Sequence, residues 1–180
     1  MVKSFVHHNT HSKYLRVSFL YNPNQTIERK TLSSFHQLSD IMTKQVFINL
    51  PVQDPEQSMA LYAALGFTNN PQFSDDQGKC MVWSDTIYLM LLSHQKFASF
   101  ATKPIADTKA TVAGLYSLSL SSEEEVHALM GKGLLAGGTE PHEPRNYGFM
   151  LQRTLVDFDG HTWEFFYMDM SKIPVAANDN

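Results

Sequence analysis

The run from Lys44 to Phe67, KQVFINLPVQDPEQSMALYAALGF, puts a strand, a turn and a helix in immediate succession. Lys44 to Leu50 is short and rich in β-branched and aromatic residues, and it stops at Pro51, which suits a strand entering a turn. Asp54-Pro55 then sets an N-cap residue directly before a proline at the first helical position. Met59, Leu61, Tyr62 and Leu65 recur at helical spacing until Gly66 closes the helix.

Downstream, three short strands are expected at Phe67 to Phe73, Lys79 to Trp83 and Thr86 to Leu92. Turn compositions separate them, at Asp75-Asp76-Gln77-Gly78 and at Ser84-Asp85. The first module therefore reads βαβββ, and a linker from about His94 carries Pro104 and no sustained periodicity. The second half repeats the plan. A strand at about Val112 to Leu120 leads to a Ser-Ser-Glu-Glu-Glu start, whose acids complement a helix N-terminus. Val126, Leu129, Met130 and Leu134 form that helix's buried stripe and Gly137-Gly138 end it. Strands follow around Thr139 to Pro141, Gly148 to Asp157 and His161 to Met168. Ala64-Leu65-Gly66-Phe67-Thr68 and Leu135-Ala136-Gly137-Gly138-Thr139 mark the same point in each half, a helix closing on glycine and a Thr opening the next strand.

The expectation is an α+β protein in which two paired βαβββ modules form a curved mixed sheet around a cleft. Residues 1–41 are an N-terminal extension, 42–93 the first module, 94–110 the linker, 111–170 the second module and 171–180 a flexible tail. The extension is Ser-, Thr- and Asn-rich and contains His7, His8 and His11; it reads as a disordered leader or as sequence upstream of a true start at Met42.

Composition narrows the partners. The chain has 180 residues, 43% of them apolar and 12% aromatic, and a formal net charge of −4. No basic stripe is present to grip nucleic acid or anionic lipid, so small molecules are the expected ligands. Cys80 is the only cysteine, which excludes an intramolecular disulfide and points to a reducing, cytoplasmic setting. The longest apolar run, Ile87 to Leu92, has the length of a strand and falls well short of a membrane helix.

The segment Asn49 to Phe67, NLPVQDPEQSMALYAALGF, resembles the opening signature of the vicinal oxygen chelate superfamily, which includes glyoxalase I, bleomycin-resistance proteins and extradiol dioxygenases. Asp157 to Phe166, DFDGHTWEFF, resembles its closing signature, an Asp-x-Asp-Gly turn feeding a strand that carries Glu. Within the superfamily the chain looks closest to predicted lactoylglutathione-lyase-like proteins. The resemblance implies two modules around a cleft, a divalent metal held by inward His, Glu or Gln side chains, and a two-fold dimer. It maps Glu164 onto the Glu of the closing strand, a metal ligand or catalytic base in relatives. It maps the first ligand, commonly His, onto Phe47, which has no lone pair to donate. The corresponding place in the second module falls at Gly114, Leu115 or Tyr116, none of them His. Tyr88 or a neighbour takes the place of the remaining ligand, and neutral phenol is a poor partner for a divalent ion. No metal ligand set is therefore assigned.

Three roles stand open for Glu164: a structural carboxylate paired with Arg153 on the adjoining strand, a ligand-binding or acid–base group, and a metal ligand. His161 is an odd number of residues away and belongs on the opposite face of that strand. Phe47, Trp83, Tyr88 and Met90 in the first half, and Phe149 and Phe166 in the second, either line a pocket or fill the core. Asn49 and Arg153 are the polar candidates for ligand contact. The functional expectation is a small-molecule binder with an aromatic-lined cleft, lactoylglutathione-lyase-like by resemblance. The alternative is a non-catalytic protein that sequesters a flat or antibiotic-like molecule by stacking.

Overall fold

The first half lays down strand β1 (Val46–Val52), helix α1 (Pro55–Ala64) and strands β2 (Thr68–Asp75), β3 (Gly78–Ser84) and β4 (Ile87–Ser93), in a computed structural model that describes residues 44–174. Asp54 caps α1 as its position suggests, accepting the backbone N–H groups of Glu56 at 2.9 Å and Gln57 at 3.1 Å. The expectations for residues 1–41, including the histidine cluster, lie outside the described residues.

A short helix α2 (His94–Phe100) follows, then β5 (Leu115–Ser119), α3 (Glu123–Leu135), β6 (Arg145–Asn146), β7 (Met150–Val156) and β8 (Thr162–Met168). The four strands of each half form one mixed sheet, ordered β1-β4-β3-β2 and β5-β8-β7-β6. In each, the first strand runs parallel to the last and the remaining pairs are antiparallel. The βαβββ plan is thus present twice, as two separate four-stranded sheets.

Three local features depart from the sequence reading. The linker opens with α2, which Ser93 caps by accepting the Lys96 N–H at 3.2 Å. The strand expected at Thr139 to Pro141 is reduced to an isolated bridge between Thr139 and Val156, and the ladder resumes only at Arg145. Pro141 and Pro144 lack the N–H that a continued ladder would use. Met170–Lys172, at the start of the expected tail, is a 3₁₀ turn capped by Asp169.

Alternation along the strands sends one set of side chains toward the helices. Leu50, Val52, Leu89 and Leu91 of the first sheet, Leu118, Leu155, Trp163 and Phe165 of the second, and Leu61, Tyr62, Leu65, Val126 and Met130 of the helices form one buried cluster. Full burial of each large apolar side chain contributes about 1.5–3 kcal/mol. Helix α1 packs on β3 and β4, α3 packs on β7 and β8, and the two helices touch. Gly133 marks the close approach: a Cβ there would stand 2.4 Å from Leu155 Cδ1 and 2.7 Å from Leu65 Cδ2.

Polar groups lock the same junction. Trp163 Nε1 donates to Tyr62 Oη at 2.7 Å, and the Tyr62 hydroxyl donates to Asp157 Oδ2 at 2.7 Å. Asp157 Oδ1 accepts the N–H groups of Asp159 at 3.0 Å and His161 at 2.8 Å, so the DFDGH turn is wound around its own first carboxylate. Asp159 Oδ1 accepts the Gln53 N–H at 2.9 Å, and the buried His161 ring donates from Nε2 to the Pro51 carbonyl at 2.8 Å. The second half's closing turn therefore clasps the first half's strand–helix corner.

Candidate binding face on the first sheet

The side chains that alternation turns away from α1 make up the candidate site. Along β1 these are Phe47, Asn49 and Pro51, and parallel pairing sets them beside Tyr88, Met90 and Leu92 of β4. Antiparallel pairing extends the middle row, Met90 to Cys80 and Cys80 to Asn70, so that Asn49, Met90, Cys80 and Asn70 cross all four strands. Gln45, Phe47, Asn49, Asn70, Phe73, Cys80, Tyr88 and Met90 line a cavity of about 540 Å³ on this face. That volume lies within the range of small-molecule sites.

The walls are aromatic and already aligned. Phe47 and Tyr88 stack with centroids 4.6 Å apart and planes 11° apart. The Tyr88 hydroxyl donates to the Asp85 carbonyl at 3.1 Å and accepts from Gln45 Nε2 at 3.2 Å, which fixes the ring's long axis. Phe73 stands in the irregular part of β2, where the register shifts between Asn70 and Asp75. Phe47 and Phe73 remain 51% and 67% exposed, too much for core residues. Burial raises the pKa of the Cys80 thiol, keeping it neutral. Helix α2 shapes a second depression of about 400 Å³, lined by Asn49, Leu92, Phe97, Phe100 and Ala101.

Of the residues named from the sequence, Phe47, Asn49, Tyr88 and Met90 line this one cavity, together with Gln45, Asn70, Phe73 and Cys80. Period-two alternation from Met90 through its cross-strand neighbours carries the signal for Cys80 and Asn70. Trp83 does not join the cavity. It is on the helix side, with its ring 5.0 Å from Phe67, because it follows the outward Val82 by one residue.

Glu164 belongs to the other sheet. Register pairs it with Ser117 on β5 and Thr154 on β7, and Ser117 Oγ donates to Glu164 Oε2 at 2.6 Å. Arg153, expected as its partner, pairs in register with Phe165 and so points to the opposite face. There it grips Glu140 through two bonds of 2.9 and 2.6 Å and approaches Nδ1 of His127 on α3 at 3.3 Å. The Glu140 carboxylate holds the guanidinium's pKa above its usual value. Arg153 is therefore a helix-to-sheet strut, and Ser117 is the partner of Glu164. Thr154 Oγ1 is buried without a hydrogen-bond partner among the described residues. Phe166 shares the Glu164 face in register with Gln152, while Phe149 precedes β7 and packs on Tyr147 at 6.4 Å.

Asn49 and Met90 stand in the first sheet where Ser117 and Glu164 stand in the second, at the same spacing before the N-caps Asp54 and Ser122. Those two pairs hold one carboxylate between them, that of Glu164. Among the described residues no three His, Cys, Asp or Glu side chains gather where an ion could be held. Phe47 and Tyr88 are spent on each other, and an amide, a thioether and a hydroxyl-bonded carboxylate are not a divalent-metal donor set. The residues present do not fit the metal that the resemblance implies.

No helix among the described residues is long and apolar enough to cross a membrane. No protein-family model matches the sequence, and no curated protein matches it. Solved structures do match. A hypothetical protein from S. aureus is 28% identical over 68% of this chain and 92% of its own, with a TM-score of 0.59. A glyoxalase/bleomycin resistance protein/dioxygenase family enzyme from Burkholderia phytofirmans PsJN is 16% identical over 68% of this chain and 96% of its own, at 0.57. A glyoxalase-related enzyme from Fulvimarina pelagi is 19% identical over 69% of this chain and 88% of its own, at 0.59. With the βαβββ unit present twice and these structures superposing on most of their length, the chain has the fold of the glyoxalase/bleomycin resistance/dioxygenase, or vicinal oxygen chelate, superfamily.

Proposed function

We propose that this protein binds a small flat molecule on the outer face of the first sheet, by stacking and shape and without a metal. The observation that carries the reading is the Phe47–Tyr88 pair, stacked and half-open at the wall of a cavity of about 540 Å³. Pre-aligned rings lose little freedom when a third ring stacks on them, so apolar contact converts efficiently into affinity. A two-fold dimer belongs to the same reading: the exposed Val112, Leu115 and Leu135 are apolar surface outside the cavity that a second copy would cover. The test is a thermal-shift screen of flat aromatic compounds against protein dialysed into chelator. A saturable rise in melting temperature supports the reading, and no rise with any compound contradicts it.

A second reading assigns Glu164 an acid–base role. The supporting observation is the row of Ser117, Glu164 and Thr154, in which the Thr154 hydroxyl has no partner among the described residues. In it Glu164 removes a proton next to a ligand carbonyl, a lyase-like step. Turnover of methylglyoxal–glutathione hemithioacetal that disappears in Glu164→Gln would favour it; absence of turnover in the native protein would leave the sequestering reading.

A further inference from the structure

Resting on the binding reading above, we infer that the ligand is an uncharged molecule with two apolar lobes joined at a lactam-type edge, and that Asn49 reads that edge. Of the three depressions that Asn49 lines, the two largest, about 540 and 400 Å³, meet at it, and the third, about 310 Å³, continues the second past Phe97 toward Lys103. One lobe fits against Phe47, Tyr88 and Phe73; the other fits against Leu92, Phe97 and Phe100. A molecule filling both must pass over the Asn49 carboxamide.

Charge selects the same class. Among the described residues every side chain lining either depression is uncharged, and Cys80 stays a thiol. An ionic ligand would surrender its hydration here and meet no counter-charge, a loss that neutral amides cannot offset. A neutral ligand surrenders much less.

Hydrogen-bond accounting then isolates Asn49. Among the described residues the Tyr88 hydroxyl is engaged by Asp85 and Gln45; Gln45 has its amino group taken by Asp85 and Tyr88 and keeps only its oxygen; Asn70 has its side-chain oxygen taken by the Gln72 N–H and keeps only its amino group. Asn49 makes a single bond of 3.3 Å from Nδ2 to the carbonyl of Phe47 in its own strand. Its oxygen and second N–H are left as an acceptor and a donor on one planar group. The complement of that pair is a ring N–H and C=O on one edge, as in a lactam or imide. An open-chain trans amide presents the two on opposite edges and cannot satisfy both.

The test uses three flat probes of similar shape: 4-phenyl-2-quinolone, which carries the lactam; 4-phenylquinoline, which lacks it; and 2-phenylquinoline-4-carboxylate, which is charged. Calorimetric titration of the full chain is expected to rank the quinolone first, with each of the others about ten-fold weaker, the scale of one good hydrogen bond. Asn49 is exposed, and Asn49→Leu is expected to abolish the quinolone's advantage over 4-phenylquinoline. A carboxylate that binds as tightly as the quinolone would overturn the inference, as would a lactam preference that survives Asn49→Leu; in either case the stacking reading stands. Should none of the probes bind up to millimolar concentration, the stacking reading falls with it.

Discussion

Phe47 and Tyr88 lie ring on ring across the parallel β1–β4 pair, 4.6 Å between centroids, on the sheet face that helix α1 does not cover. Core stability does not ask for them there, because the fully buried residues Leu50, Val52, Met81, Leu89 and Leu91 form the opposite face without them. Two aromatics kept open to solvent and held parallel by a tyrosine hydroxyl network are better explained by what they contact than by what they stabilise.

Glu164→Gln is expected to fold and to change stability by no more than about 1 kcal/mol, because Ser117 Oγ can donate to an amide oxygen as it does to the carboxylate. Chemical denaturation of both proteins measures this. A loss of several kcal/mol would make Glu164 a structural carboxylate and remove it from the site.

Tyr62→Phe removes a hydroxyl that gives one hydrogen bond and receives another in the buried junction. Asp157 Oδ2 and the Trp163 N–H would both lose their partner, so a destabilisation of about 2–4 kcal/mol is expected, at least one unsatisfied buried group's worth. Burial and the neighbouring Asp157 carboxylate push the phenol's pKa well above its usual value, so it remains a donor throughout the accessible pH range. An unchanged midpoint in urea would show that the clasp is not what holds the halves together.

The clasp also has a pH signature. Burial raises the Asp157 carboxyl's pKa above its ordinary value, against the opposing pull of His161, Tyr62 and two backbone N–H groups. A folded-state value above the unfolded one means that the folded state holds the proton more tightly. The stabilising contribution is complete below the unfolded pKa of about 4 and is lost as pH rises through the folded value. Stability of the native protein minus that of Asp157→Asn, followed from about pH 3 to 8, should therefore fall as pH rises. A difference that grows with pH would reverse the assignment.

Much of this architecture is legible in the chain. Asp54-Pro55 and Ser122 fix the two helix starts, and Asp159-Gly160 fixes the β7–β8 hairpin, because each requires a specific backbone conformation from a specific residue. Helix α2 is not legible: none of its residues is buried, so it leaves no apolar stripe, only the Ser93 cap. The site divides in the same way. Phe47, Asn49, Tyr88 and Met90 follow from strand parity once the β1–β4 register is known. Arg153 and Trp83 each differ by one residue in parity from the groups expected beside them, which puts each on the opposite face. That the cavity opens on the first sheet while the carboxylate stands on the second is a tertiary fact, beyond what strand periodicity encodes.

Gly160 sits at φ +90°, and a Cβ there would lie 2.5 Å from the carbonyl oxygen of Thr108, whose own hydroxyl donates to the Asp159 carbonyl. Gly160→Ala combines left-handed strain with that collision, and is expected to cost at least about 1–3 kcal/mol. Thermal unfolding measures it; a neutral result would mean that the strap at residue 108 moves freely from the turn.

The central claim is that stacking on the first sheet binds a small molecule with no metal. Calorimetric titration of a flat aromatic ligand in excess EDTA, on the native protein and on Phe47→Ala, tests it directly. Saturable binding that the chelator leaves intact and that weakens about ten-fold in the variant, whose fold should survive because Phe47 is half exposed, is the expected result. Binding that requires an added divalent ion, or that is indifferent to the loss of the Phe47 ring, would contradict it.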